Sequence, residues 1–141
     1  MANTSIIYQD VTVTLNGYPF NALAAGDQVI VTPVNPKTSR NNHRNYTTIN
    51  ERGDWDVSDI TINYIKGSDD DIQVNKWIDS GEVVVFKGSI AENYSVNGVS
   101  RTSTHLLEAG TITTLPTDTK NDQDGNHILT IVIQARSKSK K

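Results

Sequence analysis

Cysteine is absent from all 141 residues, so the chain has no disulfide framework, no thiolate nucleophile and no cysteine-bound zinc. Packing and hydrogen bonding must hold it together. Aromatic side chains are scarce, at 6% with two tryptophans, which leaves few platforms for a ring-lined ligand cleft. No run approaches the roughly 18 consecutive apolar residues of a membrane helix, and no membrane insertion is expected. The opening Met1-Ala2-Asn3-Thr4-Ser5 lacks the basic start and apolar middle of a secretory signal, so synthesis and folding in a cytoplasm is expected. Signatures of catalysis are missing as well: there is no G-x-S-x-G elbow, phosphate-cradling glycine loop or H-E-x-x-H pair. His43, His105 and His127 lie far apart in sequence, without a carboxylate or second histidine at metal-ligand spacing. Between Lys120 and Gly125 the spacing of Asp122 and Asp124 resembles part of a calcium loop. Lys120 and Ile131 then stand where its first and twelfth ligands belong, and a turn between strands accounts for the same residues. The sequence therefore points to no catalytic residue, no cofactor and no metal.

What is present is one domain's worth of chain, enough to bury about two-thirds of its unfolded surface. The formal net charge is -3, and setting aside Lys138, Lys140 and Lys141 of the terminal Ser-Lys run leaves ten basic against sixteen acidic residues. An acidic body repels a phosphate backbone, which argues against a duplex-gripping surface. Residues 1–136 read as a single β domain and 137–141 as a basic flexible tail.

Thr, Asn, Ile and Val dominate over the strong helix formers, which favours pleated structure. From Ile7 to Leu15, Val11, Val13 and Leu15 share one parity and Asp10, Thr12 and Thr14 the other, the pattern of a half-buried strand. Asn16-Gly17 then supplies a hairpin turn, and a short strand from Gln28 to Thr32 stops at Pro33 and Pro36. The stretch from Pro33 to Asp54 has two prolines, five asparagines and no sustained period. It is too long for a passive connection, and its middle, Tyr46 to Ile49, is compatible with the outer part of an extended hairpin. Trp55 and Val57 lie on one parity and Ile60, Ile62 and Tyr64 on the other, which predicts a bulge at Ser58-Asp59.

One helix is expected, capped by Ser68, started by Asp69, Asp70 and Asp71 at the positive end of its dipole, and ended by Gly81. Val74, Trp77 and Ile78 form its buried stripe, with Ile72 at the margin. Beyond it, Glu82 to Ile90 reads as a strand covered on both faces. Ala91 to Thr104 is a polar stretch with a turn at Asn97-Gly98. Leu106 to Leu115 gives one or two strands interrupted at Ala109-Gly110 and ended by Pro116. Asn121 to Asn126 is a turn, and His127 to Arg136 is the last strand. Thr/Asn faces with few strand lysines suit a sheet that pairs with copies of itself.

The order of β-hairpin, long polar loop, strand ending near Lys66-Gly67-Ser68, acidic-capped helix through Asn75-Lys76-Trp77-Ile78, valine-rich strand and hydrophobic final strand resembles the tail tube proteins of contractile-tailed bacteriophages. The likeness spans about residues 5 to 136, with Asp56 to Phe86 its most specific part. It implies a mainly β fold, two packed sheets forming a barrel-like sandwich with one flanking helix and a long inter-subunit loop. It also implies hexameric rings stacked into the inner tail tube of a virion, with tail sheath, baseplate and tail terminator proteins as partners and phage DNA passing through without specific binding. On this resemblance Lys37, Arg40, His43, Arg44 and Arg52 make inter-subunit contacts, while Thr12, Thr14, Thr61 and Asn63 face the lumen. By parity alone those four positions fit equally well a face turned to bulk water. Two further readings stand beside this one: another virion ring or decoration protein, such as a tail terminator or head decoration protein, and a β-sandwich module that binds a ligand.

Overall fold

The computed structural model describes residues 4–24, 26, 28–51, 53, 55–118 and 127–140. Its elements run β1 (Ile6–Leu15), β2 (Tyr18–Pro19), β3 (Val29–Pro33), β4 (Thr38–His43), β5 (Tyr46–Glu51), β6 (Asp56–Ile65), α1 (Asp69–Ile78), β7 (Phe86–Val96), β8 (Val99–Thr117) and β9 (Ile128–Lys140). The chain is mainly β with one flanking helix, the class its composition indicates. Seven strands form one antiparallel sheet in the order β2-β1-β7-β8-β9-β6-β3, and β4 pairs only with β5. Among the described residues no helix is long and apolar enough to cross a membrane.

The core follows strand parity. Val13 and Leu15 on β1, Ile60, Ile62 and Tyr64 on β6, and Leu129, Ile131 and Ile133 on β9 are buried and belong to one cluster with Phe86, Ile90 and Leu107. Val11 of β1 and Val29 and Val31 of β3 line a common cleft although their strands stand near opposite ends of the sheet order. The sheet therefore curls until its two halves face each other across the core, sandwich-fashion. It does not close, because β3 bonds only to β6, and β1 has only the two residues of β2 on its other side.

The Asn16-Gly17 turn forms as expected, with φ of 51° and 80°. Several other boundaries differ. Strand β6 pairs with β3 and β9 in unbroken register, so there is no bulge at Ser58-Asp59. Ser58 keeps the inward parity as a small buried polar residue, its hydroxyl 2.7 Å from that of Ser137. The valine run is not a strand covered on both faces: β7 starts at Phe86, and Val83 and Val85 are 80% and 58% exposed. The polar stretch after it is a hairpin about Asn97-Gly98, joining β7 to β8. Strand β8 runs on through a bulge at Ala109, where φ is 52°, and includes Pro116. That proline is tolerated because β7 pairing ends at Phe86–Gly110, leaving this part of β8 one free side. Residues 137–140 are not a separate tail. They extend β9, pairing Ser137, Lys138 and Ser139 with Leu107, Leu106 and His105. The turn expected at 121–126 lies outside the described residues.

Helix α1 closes one end of the curl. Ser68 caps it by accepting from Asp71 N at 3.4 Å, and the Asp71 carboxylate accepts from Gly67 N at 2.9 Å, a capping box displaced by one residue. Val74 is fully buried, and the Trp77 ring stands edge-on to Phe86 at 4.9 Å and to Tyr18 at 6.1 Å. Because Trp77 is half-buried, Trp77→Ala should cost about 3 kcal/mol, the low end for deleting a large aromatic side chain. An unchanged thermal midpoint would mean the helix does not seat on this ring cluster.

Asp70 has a role that its place in the acidic first turn conceals. It is fully buried, and its carboxylate accepts from the Tyr18 hydroxyl at 2.8 Å, from Asn21 N at 3.2 and 3.1 Å and from Ala22 N at 2.7 Å. It ties the chain after β2 to the helix. Burial, the hydrogen bond to Asp70 and that residue's charge together push the Tyr18 phenol up to about 12, so it stays a neutral donor at any physiological pH.

Candidate assembly surface

Thr12 and Thr14 alternate with the buried Val13 and Leu15, and Thr61 and Asn63 alternate with the buried Ile60, Ile62 and Tyr64. All four therefore lie on the outer face of the same sheet. They fall on strands β1 and β6, which are separated by β7, β8 and β9. The structure thus places them on one continuous outer surface but does not bring the two pairs into contact. Most positions between them hold uncharged or internally paired groups, and Lys138, opposite Leu106, adds a cation to the same face. Thr130 Oγ1 donates to Asn63 Oδ1 at 2.6 Å, Gln134 Nε2 to Asp59 Oδ1 at 3.0 Å and Thr102 Oγ1 to Asn93 Oδ1 at 3.0 Å. Arg136 bonds Glu108 at 2.7 Å and lies 5.7 Å over the Trp55 ring. Side chains occupied with one another offer few fixed cations to a passing phosphate chain.

The long polar stretch is an arm. Strands β4 and β5 pair from Thr38↔Glu51 to His43↔Tyr46, each about 20 Å long at the usual strand rise. Every residue of β4 is exposed, and so is all of β5 except the half-buried Thr48. One face carries the Arg40–Ile49 pair and the other the His43–Tyr46 pair, whose rings stack at 6.4 Å. Tyr46 is 71% exposed and Ile49 60%. Lys37 bonds Glu51 at 3.1 Å within the arm, whereas neither Arg40 nor Arg44 has a carboxylate partner among the described residues. Lys37, Arg40, His43 and Arg44 are thus gathered on or beside one projecting hairpin, and Arg52 lies outside the described residues. An isolated two-stranded hairpin is marginal in water, and an arm with apolar tips on both faces is stabilised by whatever covers it.

A second surface drew no attention from the sequence. Where α1 ends, Trp77, Ile78, Val83, Ile112 and Leu115 line a cleft of about 180 Å³. Val83 and Leu115 are 80% and 63% exposed, and Glu82 lines the same cleft. The available signal is the valine run Val83–Val85, of which Val83 and Val85 stay exposed ahead of β7. No protein-family model matches the chain, and a search of curated proteins finds no match.

Proposed function

We propose that this chain is a structural subunit of a bacteriophage tail tube, a virion protein rather than an enzyme. Copies pair edge to edge into rings, six to a ring in the family it resembles, and rings stack into a conduit for DNA. The observation that carries this reading is the uncovered β4–β5 arm, cationic and apolar at once, on a body whose main sheet is left open. Soluble monomers defend sheet edges with lysine, proline or inward charge, and ring closure removes the need to do so. The Thr/Asn positions of the outer face support a lumen that DNA slides along, because uncharged groups provide no phosphate anchors and Arg136 is occupied by Glu108, with Lys138 of β9 as a cation on that face. Sheath, baseplate and tail terminator proteins are the partners this role requires.

Sedimentation velocity tests the arm's part in assembly. Wild type should sediment as large polymers, and the Arg40→Glu/Arg44→Glu variant should fail to form them with an unaltered circular-dichroism spectrum, since both side chains are exposed and neither has a carboxylate partner among the described residues. Polymers of wild-type size from the double variant would remove the arm from the assembly contact.

A further inference from the structure

The sequence contains two Asn-Gly pairs, Asn16-Gly17 and Asn97-Gly98, and each forms the two-residue turn of a hairpin. Their backbones nearly coincide: φ is 51° and 80° in the first, 49° and 83° in the second. All four residues are exposed. An asparagine followed by glycine is prone to cyclise, because glycine has no side chain to shield its amide nitrogen from the neighbouring carboxamide. Local sequence and turn geometry therefore expose the two asparagines equally to this reaction.

Their side chains are held differently. Asn16 is fixed at both ends of its carboxamide: Oδ1 accepts from Lys87 N at 2.9 Å, and Nδ2 donates to Val85 O at 3.3 Å. Those two residues flank Phe86, which is buried and stands edge-on to Trp77, so the anchors do not move without opening the core. Asn97 is fixed by its oxygen alone, which accepts from Ser5 N at 2.9 Å, while Asn97 N donates to Ser5 O at 2.8 Å. Ser5 is exposed, and Ile6 and Ile7 after it are 48% and 59% exposed. Releasing this anchor uncovers little further apolar surface, and local opening costs least where that is so.

We propose that Asn97 is a site of covalent self-modification, deamidation to aspartyl and isoaspartyl forms, and that the fold protects Asn16 from the same reaction. The Gly98 amide nitrogen, having given its proton to a solvent base, attacks Asn97 Cγ. The new C–N bond closes a five-membered imide, and the side-chain nitrogen takes up a proton and leaves as ammonia. Water then opens the imide at either carbonyl. Opening at the original main-chain carbonyl leaves isoaspartate, in which the chain runs through the former side chain and is one methylene longer. Either product adds a carboxylate. The two-residue turn from Val96 to Val99 does not keep its register with the added methylene, so β1, β7 and β8 loosen at their shared end. None of this depends on the assembly reading.

Incubation in heavy-oxygen water tests it. The whole chain is held at mildly alkaline pH, folded in buffer or unfolded in urea, and digested in ordinary water. Mass spectrometry then follows the label in the peptides that hold residues 16 and 97. In the folded protein Asn97 should take up label about tenfold faster than Asn16, the factor that a modest difference in local opening supplies. In urea the two rates should converge. Ser5→Pro removes the amide that holds Asn97 Oδ1, at a position just before a strand where proline is tolerated. It should speed Asn97 further and leave Asn16 unchanged, with circular dichroism verifying the fold. Equal rates in the folded protein, or the same excess at Asn97 in urea, overturns the proposal that the fold selects Asn97. An unchanged Asn97 rate in folded Ser5→Pro overturns the single anchor as what sets it.

Discussion

Replacing Asp70 with alanine is expected to lower stability by about 3 kcal/mol, a large share of what a domain of this size possesses. The carboxylate is fully buried and satisfies the Tyr18 hydroxyl and the Asn21 and Ala22 amides together. Its removal leaves these donors without their acceptor at the junction of the helix and the sheet end. The cost is that of stranded polar groups more than of a lost attraction. Asp70→Asn should fall between wild type and alanine, because one amide oxygen still accepts while the new amino group confronts backbone donors. Urea unfolding followed by circular dichroism measures both, and an alanine variant with a wild-type midpoint would show that the junction is held by apolar contacts alone.

The second large effect concerns Gly88. It pairs with Leu15 across β1 and β7, beside a register shift between Phe86 and Gly88. A Cβ built on Gly88 overlaps the Thr14 carbonyl oxygen and comes within 2.9 Å of the carbonyl carbon and 3.1 Å of Leu15 Cα. These are backbone atoms of the neighbouring strand, so no side-chain rotation relieves the clash. Gly88→Ala should therefore cost about 3 kcal/mol or more, at or above the upper end for overpacking, by forcing β1 off β7 where Leu15 enters the core. Gly110→Ala serves as a milder comparison: its Cβ meets the side chains of Ala135, Ile133 and Phe86 at 3.2 to 3.3 Å, which can yield slightly. Equal midpoints for Gly88→Ala and wild type would contradict the strand register described above.

Strand parity made much of this fold readable in the sequence. Val11, Val13 and Leu15 announce an inner face that the structure keeps, and Ser68 with its following acids announces the helix. Parity failed where the inner face is not apolar. Ser58 sits in the interior with a hydroxyl partner 79 positions away, and a polar residue at an inward position breaks the apolar alternation without any slip of the strand. The alternation Ser137, Lys138, Ser139 is likewise a strand pattern written in residues that resemble a tail. The β4–β5 arm gave no period because neither of its faces is buried. Asp70 was legible as a helix-dipole acid, but its partners lie about 50 residues away, and local sequence carries no trace of them. The candidate surfaces divide the same way. The cations of the arm could be picked out by composition, while the cleft needed the curl of the sheet to bring Ile112 and Leu115 beside Trp77.

The central claim is that the working object is a polymer of this subunit. Negative-stain electron microscopy of concentrated wild-type protein tests it most directly. Tubes about 10 nm wide, the span of roughly six such domains around a pore, are the predicted result. Fields containing nothing but separate 15.5 kDa particles, at every concentration and also when the other tail components are added, would contradict it.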